Sequence, residues 1–150
     1  MNYQQKLKNL KRYAKMETEE DMKLFEITLK DFLVNKDHKV LEELIEIFDD
    51  NCENPEIMHN LVQVIENYPP EIYVEVLSYK IKDFKKYPEW FTLLLYHIFN
   101  SAIHLELLKK HIHLADRDKL LELLDIMYQE SEAHRPVIDE LRKLINKERE

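Results

Sequence analysis

The chain has 150 residues, 45% of them apolar and 35% charged, which supplies enough apolar side chains for the core of one domain over residues 1–150. It contains no glycine, and because tight hairpins, phosphate-binding loops and left-handed helix caps draw on glycine, this composition argues against β-sandwiches, Rossmann domains and P-loop enzymes. Its net charge of −8 argues against binding to nucleic acid or to an anionic membrane.

Apolar residues recur at spacings of three and four along the whole chain, without sustained alternation, and this pattern predicts an all-α fold of about nine helices. The first helix is expected near residues 2–15. After it, each helix start is marked by a capping residue, by a proline suited to the first turn, or by both. In chain order these markers are Thr18, Asp37, Asn54 with Pro55, Pro70, Pro88, Ser101, Asp116 and Pro136.

Three expectations concern particular helices. The second helix is predicted to run to about Val34 with Leu33 in its apolar stripe, and the seventh to carry Ile103 in its stripe. The helix that begins at Pro88 is apolar on nearly every side, so we expect it to be the buried central helix, with Trp90 in the core.

The spacing of the helices also predicts an architecture. Starts fall roughly every 15 to 20 residues, and short loops join the helices, so neighbours are expected to pack antiparallel. This favours hairpins stacked in the manner of HEAT or armadillo units, that is, a solenoid-like α bundle. Such stacks offer extended surfaces for binding another protein.

Charge is distributed unevenly over these helices. Residues 1–16 form a basic N-terminal helix with five basic side chains and no acidic one. Residues 17–75 form an acidic half with a net charge of −13, and residues 76–150 form a charge-balanced half. Because an acidic field attracts basic surfaces, we expect a protein partner with a basic surface.

The acidic side chains are densest where the third helix ends and the fourth begins. Acids are common at helix N-termini, and ordinary solvated helix faces remain an alternative explanation. A cluster that spans a helix end also suits a contact surface for a basic protein. The candidate partner-binding residues are Glu42, Glu46, Asp49, Asp50, Glu53 and Glu56.

Signals for a metal site or for catalysis are weak. Three of the seven histidines, at positions 97, 104 and 111, are spaced by seven, but the Asn100-Ser101 break separates the first from the others. A di-iron bundle needs paired Glu-x-x-His motifs, and the chain has the single motif of Glu56 and His59. We therefore predict no catalytic residues, no bound metal and no cofactor.

The location is expected to be the cytoplasm. The first 15 residues are polar and basic and lack the apolar segment of a signal peptide. A single cysteine, Cys52, excludes an intrachain disulfide, which fits a reducing compartment. No apolar run approaches the roughly 20 residues that span a bilayer. The oligomeric state stays open.

A family resemblance is carried by the helix that begins at Pro88. Its motifs are Pro88-Glu89-Trp90, Leu93-Leu94 and Ile98-Phe99-Asn100. They resemble the central helix of an all-α immunity family of bacterial polymorphic toxin systems, the thirtieth immunity family. The resemblance covers roughly residues 40–115, and this chain has His97 where the family tends to have Arg.

The resemblance implies a non-enzymatic antidote that is co-produced with a toxin in one cytoplasm. Toxin domains of such systems are often nucleases with basic clefts, which an acidic protein could cover. It also implies that Trp90 and Asn100 are structural, with Asn100 ending a helix. Two other hypotheses remain, namely a helical-repeat adapter with a different protein partner and a metal-binding helical-bundle enzyme.

Overall fold

The computed structural model describes residues 2–148, and within that range the chain forms nine α-helices, three short 3₁₀ helices and no strand. The all-α prediction is therefore confirmed, whereas the solenoid-like stacking stays a prediction. The α-helices are α1 (Tyr3–Tyr13), α2 (Glu19–Lys30), α3 (His38–Ile45), α4 (Pro55–Glu66), α5 (Pro70–Lys80), α6 (Pro88–Phe99), α7 (Ala102–His111), α8 (Arg117–Glu130) and α9 (Arg135–Glu148). The 3₁₀ helices are Ile81–Lys86, Ile112–Leu114 and Glu132–His134.

Side-chain caps begin six of these helices. In each, a side-chain oxygen accepts a hydrogen bond of 2.8 to 3.4 Å from a backbone N–H in the first turn. This satisfies donors that the helix itself leaves unpaired. The capping residues are Asn2, Thr18, Asp37, Asn54, Ser101 and Asp116, and all but Asn2 confirm helix starts predicted above.

The predicted end of α2 is wrong. The helix ends at Lys30, and the next amides bond to carbonyls three residues back, including Leu33 N to Lys30 O at 3.3 Å. Such bonds tighten the chain into turns. The Leu33 carbonyl is instead capped by Asn67, whose Nδ2 donates to it at 2.8 Å. As a result Leu33 and Val34 lie outside the helix and are 43% and 82% exposed.

The connection between α1 and α2 places Met16 in the left-handed region, with φ of 52°. Its N–H donates to the Tyr13 carbonyl at 2.9 Å, and its side chain is 1% exposed. A non-glycine residue at positive φ is uncommon and costs energy. Burial of the thioether side chain offsets that cost.

The chain divides into two compact units, an N-terminal unit (Met1–Tyr73) and a C-terminal unit (Val74–Glu150). In the N-terminal unit α1 packs on α2 and α3, and α4 packs on α2 and α3. Its core consists of large apolar side chains that are fully buried. They include Phe25, Leu29, Phe32, Leu41, Leu44, Met58, Leu61 and Ile65.

In the C-terminal unit α6 packs on α7, while α8 packs on α9 and on the 3₁₀ helix Ile81–Lys86. Seven of the 12 residues of α6 are buried, with Trp90 7% exposed, which confirms the predicted buried helix. Asn100 ends α6 as predicted. Ile103 departs from expectation, because it lies near the start of α7 and is 68% exposed instead of buried.

Candidate partner-binding surface

The six predicted contact residues all lie between the last turns of α3 and the first turn of α4. Glu46 is the C-terminal cap of α3, and Glu56 is in the first turn of α4. The exposed members are Glu46, Glu53 and Glu56, and the half-buried ones are Glu42, Asp49 and Asp50. Exposure therefore favours the first three as residues that a partner could reach.

Asp49 and Asp50 shape the segment between α3 and α4. The Asp49 Oδ1 accepts a hydrogen bond from the Asn51 N–H at 2.8 Å, which closes a local turn. Burial raises the pKa of the nearby Cys52 thiol above its ordinary value of 9.0, and the charges of Asp49 and Asp50 raise it further. The thiol is thus a local probe of negative charge in this segment.

Two contacts fix the relative direction of α2 and α4. At one end the Asn54 Nδ2 lies 3.6 Å from the Met22 sulfur, and at the other the Asn67 Nδ2 donates to the Leu33 carbonyl. Met22 and Asn54 lie at the N-terminal ends of the two helices, and Leu33 and Asn67 lie just past their C-terminal ends. The helices α2 and α4 therefore run parallel, with their N-termini side by side. Acids surround these N-termini, namely Glu19, Glu20, Asp21, Glu53 and Glu56.

A groove of about 230 Å³ follows the α2–α4 contact. Its lining combines apolar side chains with charged and amide groups, and these residues are Glu26, Leu29, Lys30, Leu33, Asn60, Gln63 and Val64. Ile27 and Val34, from the same stretch of chain as Leu33, are 60% and 82% exposed. Sequence reasoning missed this feature because it assigned Leu33 to a buried stripe.

The basic helix α1 packs against the acidic part of the chain. Lys6 Nζ lies 3.5 Å from the Asp31 carboxylate. A second groove, of about 630 Å³, lies between α1 and α3, and its lining includes Lys8 and Lys11 of α1 and Glu43 of α3. One carboxylate oxygen of Glu43 is buried without a hydrogen-bond partner among residues 2–148. Part of the basic charge of α1 thus lies over acids of its own unit.

His134 of the C-terminal unit makes several structural contacts. The His134 Nε2 lies 2.9 Å from the Asn100 Oδ1, and its Nδ1 lies 2.7 Å from the Ser131 hydroxyl. A carbonyl oxygen only accepts, so Nε2 carries the proton and, in the neutral ring, the Ser131 hydroxyl donates to Nδ1. Tyr96 and Phe99 pack against the same ring.

Two features of the described residues concern metal binding and membrane insertion. Within 2–148, no group of three or more His, Cys, Asp or Glu side chains is arranged to hold a metal ion. Over the same range, no single helix is both long and apolar enough to cross a membrane. The consecutive helical segments Pro88–Phe99 and Ala102–Leu114 meet those requirements jointly, with a bend of 112° between them.

Comparison with known proteins places the chain in a family. The family model described as Immunity protein 30 matches residues 12–108, about two thirds of the chain, and so includes α2 to α6 and most of α7. No curated protein and no solved structure matches the chain. The match confirms the resemblance carried by α6. The chain belongs to the family of immunity proteins described as Immunity protein 30.

Proposed function

We propose that this immunity protein binds a cognate toxin domain through the acidic surface of its N-terminal unit and so neutralises it. The family match carries the immunity role. The toxin is proposed to be a nuclease, because the basic cleft with which a nuclease binds phosphate would complement an acidic surface. Blocking such a cleft needs a stable contact and no catalytic group on this chain.

Charge supports the choice of the N-terminal unit. It contains 16 acidic and nine basic side chains, whereas the C-terminal unit contains 14 and 13. Nine basic side chains cannot neutralise 16 acidic ones, so the unit keeps a net charge of −7 whatever ion pairs form within it. That charge would accelerate encounter with a basic toxin at low salt.

The proposed contact residues are the acids that join α3 to α4. Glu46, Glu53 and Glu56 are exposed and would contribute mostly to the association rate. Glu42, Asp49 and Asp50 are half-buried and would contribute as the partner covers them. The protein and toxin are proposed to meet in the cytoplasm in which both are made.

The test uses the toxin domain encoded beside this chain, purified as an inactive variant. Association rates are measured by stopped-flow fluorescence from 20 to 300 mM NaCl, for the wild type and for a Glu53→Lys/Glu56→Lys variant. We expect the variant to associate about tenfold or more slowly at low salt, with a weaker salt dependence. The matched control is Asp118→Lys/Glu132→Lys, the same charge change on exposed acids of the C-terminal unit.

Two results would contradict the proposal. If the wild type neither binds the toxin domain nor protects cells that express the active form, the immunity role for this pair is wrong. If the toxin binds but both double variants associate equally, the acidic surface of the N-terminal unit is not the contact. Inhibition of DNA or RNA cleavage at equal molar amounts would test the nuclease assignment.

A further inference from the structure

The groove between α2 and α4 has an apolar end. Leu33 and Val64 line the groove towards the C-terminal ends of α2 and α4, and the buried Leu29 also lines it. Leu33 and Val34 follow the last residue of α2, so no helix continues over them. The early end of α2 therefore leaves an apolar surface open to solvent.

Exposed apolar side chains are concentrated here. Ile27, Leu33 and Val34 are 60%, 43% and 82% exposed and lie within eight residues of one another. Leu33 lines the groove, and Val34 is the next residue in the chain. Single exposed apolar residues are common, but neighbouring ones at a groove are typical of a binding surface. Its polar neighbours Lys30, Asn60 and Gln63 could supply hydrogen bonds at the rim.

Beyond Glu26 and Asn60, at the other end of the groove lining, the two helices continue to acidic N-termini. Because α2 and α4 are parallel, their N-termini, with Glu19, Glu20, Glu53 and Glu56, lie at the Met22–Asn54 contact. The 12 residues of α2 make a helix about 18 Å long. A negatively charged end and an apolar end are thus separated by about 18 Å along one surface.

We propose that the toxin places one segment along the α2–α4 groove, with an apolar side chain against Leu33 and Val34 and basic side chains over the acidic N-termini. This inference rests on the proposed function and specifies the contact further. Charge complementarity fixes the direction of the segment and speeds its docking, while the apolar anchor slows its release. The apolar end, rather than the acids, holds the complex together.

The experiment separates these two contributions with neutral substitutions. Leu33→Gln/Val34→Thr removes apolar surface without changing charge, and Glu53→Gln/Glu56→Gln removes charge without changing shape. The probe is the inactive toxin domain encoded beside this chain. We expect the first variant to raise the dissociation rate about tenfold and to leave the salt dependence unchanged. The second should lower the association rate and weaken the salt dependence.

Ile103→Thr is the matched control, because Ile103 is an apolar residue of α7 that is 68% exposed. This variant should bind the toxin domain as the wild type does. Hydrogen exchange of the complex gives a second measurement, with slowed exchange expected in α2 and α4.

Each contrary outcome has a defined meaning. If the wild type does not bind the toxin domain, the proposed function and this inference are both overturned. If the wild type binds and the Leu33→Gln/Val34→Thr variant releases the toxin at the same rate, the inference alone is overturned. Sedimentation velocity of the free protein tests whether a second copy of the chain occupies the groove instead. A dimer that this variant dissociates would assign the groove to a second copy of the chain and would also overturn the inference.

Discussion

The two units use their charged side chains differently. In the C-terminal unit, 14 acids and 13 bases nearly balance, and ion pairs join separate elements. Lys109 Nζ of α7 lies 2.6 Å from Glu140 of α9, and Lys85 Nζ lies 2.7 Å from Glu122 of α8. In the N-terminal unit acids exceed bases by seven. Charge that is matched within a unit supports its fold, whereas the excess negative charge of the N-terminal unit is the charge proposed above to attract a partner.

The largest expected effects come from the two cores. Phe91→Ala in α6 and Phe25→Ala in α2 each remove a ring that is 0% exposed. Each should lower the free energy of unfolding by about 3–5 kcal/mol, from lost burial and from the cavity left behind. Urea unfolding followed by circular dichroism measures this. A loss below about 1 kcal/mol in either variant would contradict the packing described for that unit.

A second prediction concerns the His134 contacts in the C-terminal unit. His134→Ala removes the hydrogen bonds to Asn100 and Ser131 together with the packing on Tyr96 and Phe99. We expect a loss of about 1–2 kcal/mol in the free energy of unfolding. The exposed His113, changed to Ala, is the control and should have little effect. Equal losses in the two variants would show that the His134 network contributes nothing.

The third prediction concerns the sign of the change in stability when one acid is neutralised in each unit. Glu140→Gln removes an acid that is paired with Lys109 and should reduce stability by about 0.5 kcal/mol. Glu26→Gln removes an exposed acid in the middle of α2, away from the helix N-terminus and in the unit with excess negative charge, so it should leave stability unchanged or raise it by a few tenths of a kcal/mol. Thermal unfolding at 20 mM and 500 mM NaCl measures both. The difference between the variants should shrink at high salt because screening weakens both effects.

The smallest effect concerns the reactivity of Cys52. Because the pKa of this thiol is raised from 9.0, first by burial and then by Asp49, alkylation by iodoacetamide should be slow and should keep accelerating with pH above 9. Asp49→Asn keeps the oxygen that accepts from Asn51 but removes the charge. It should increase the rate on the order of twofold. Asp118→Asn in the C-terminal unit is the control, and an equal increase there would contradict a local origin.

Helix starts were predictable because their causes are local. Thr18, Asn54 and Asp116 bond to amides within three residues, so a short stretch of sequence contains both the donor and the acceptor. The end of α2 was not predictable in this way. The Leu33 carbonyl is capped by the side chain of Asn67, which is 34 residues away in the sequence.

Exposure was the other quantity that the sequence did not determine. Apolar spacing places Leu33 and Ile103 on the inner stripes of their helices, but it does not say how far a neighbouring helix extends over that stripe. For this reason the acidic candidates could be predicted from the spacing of charges along the sequence, whereas the apolar end of the α2–α4 groove required the structure. The contact role of either group stays a prediction.

The left-handed conformation of Met16 has a consequence for variation at that position. Glycine is the residue that positive φ favours, yet here the side chain fills the core of the N-terminal unit. Replacing it with glycine would relax the backbone and open a void, while β-branched residues would fill the void and strain the backbone. Position 16 should therefore accept long, unbranched apolar side chains, because in this glycine-free chain the buried side chain must offset the cost of the left-handed backbone.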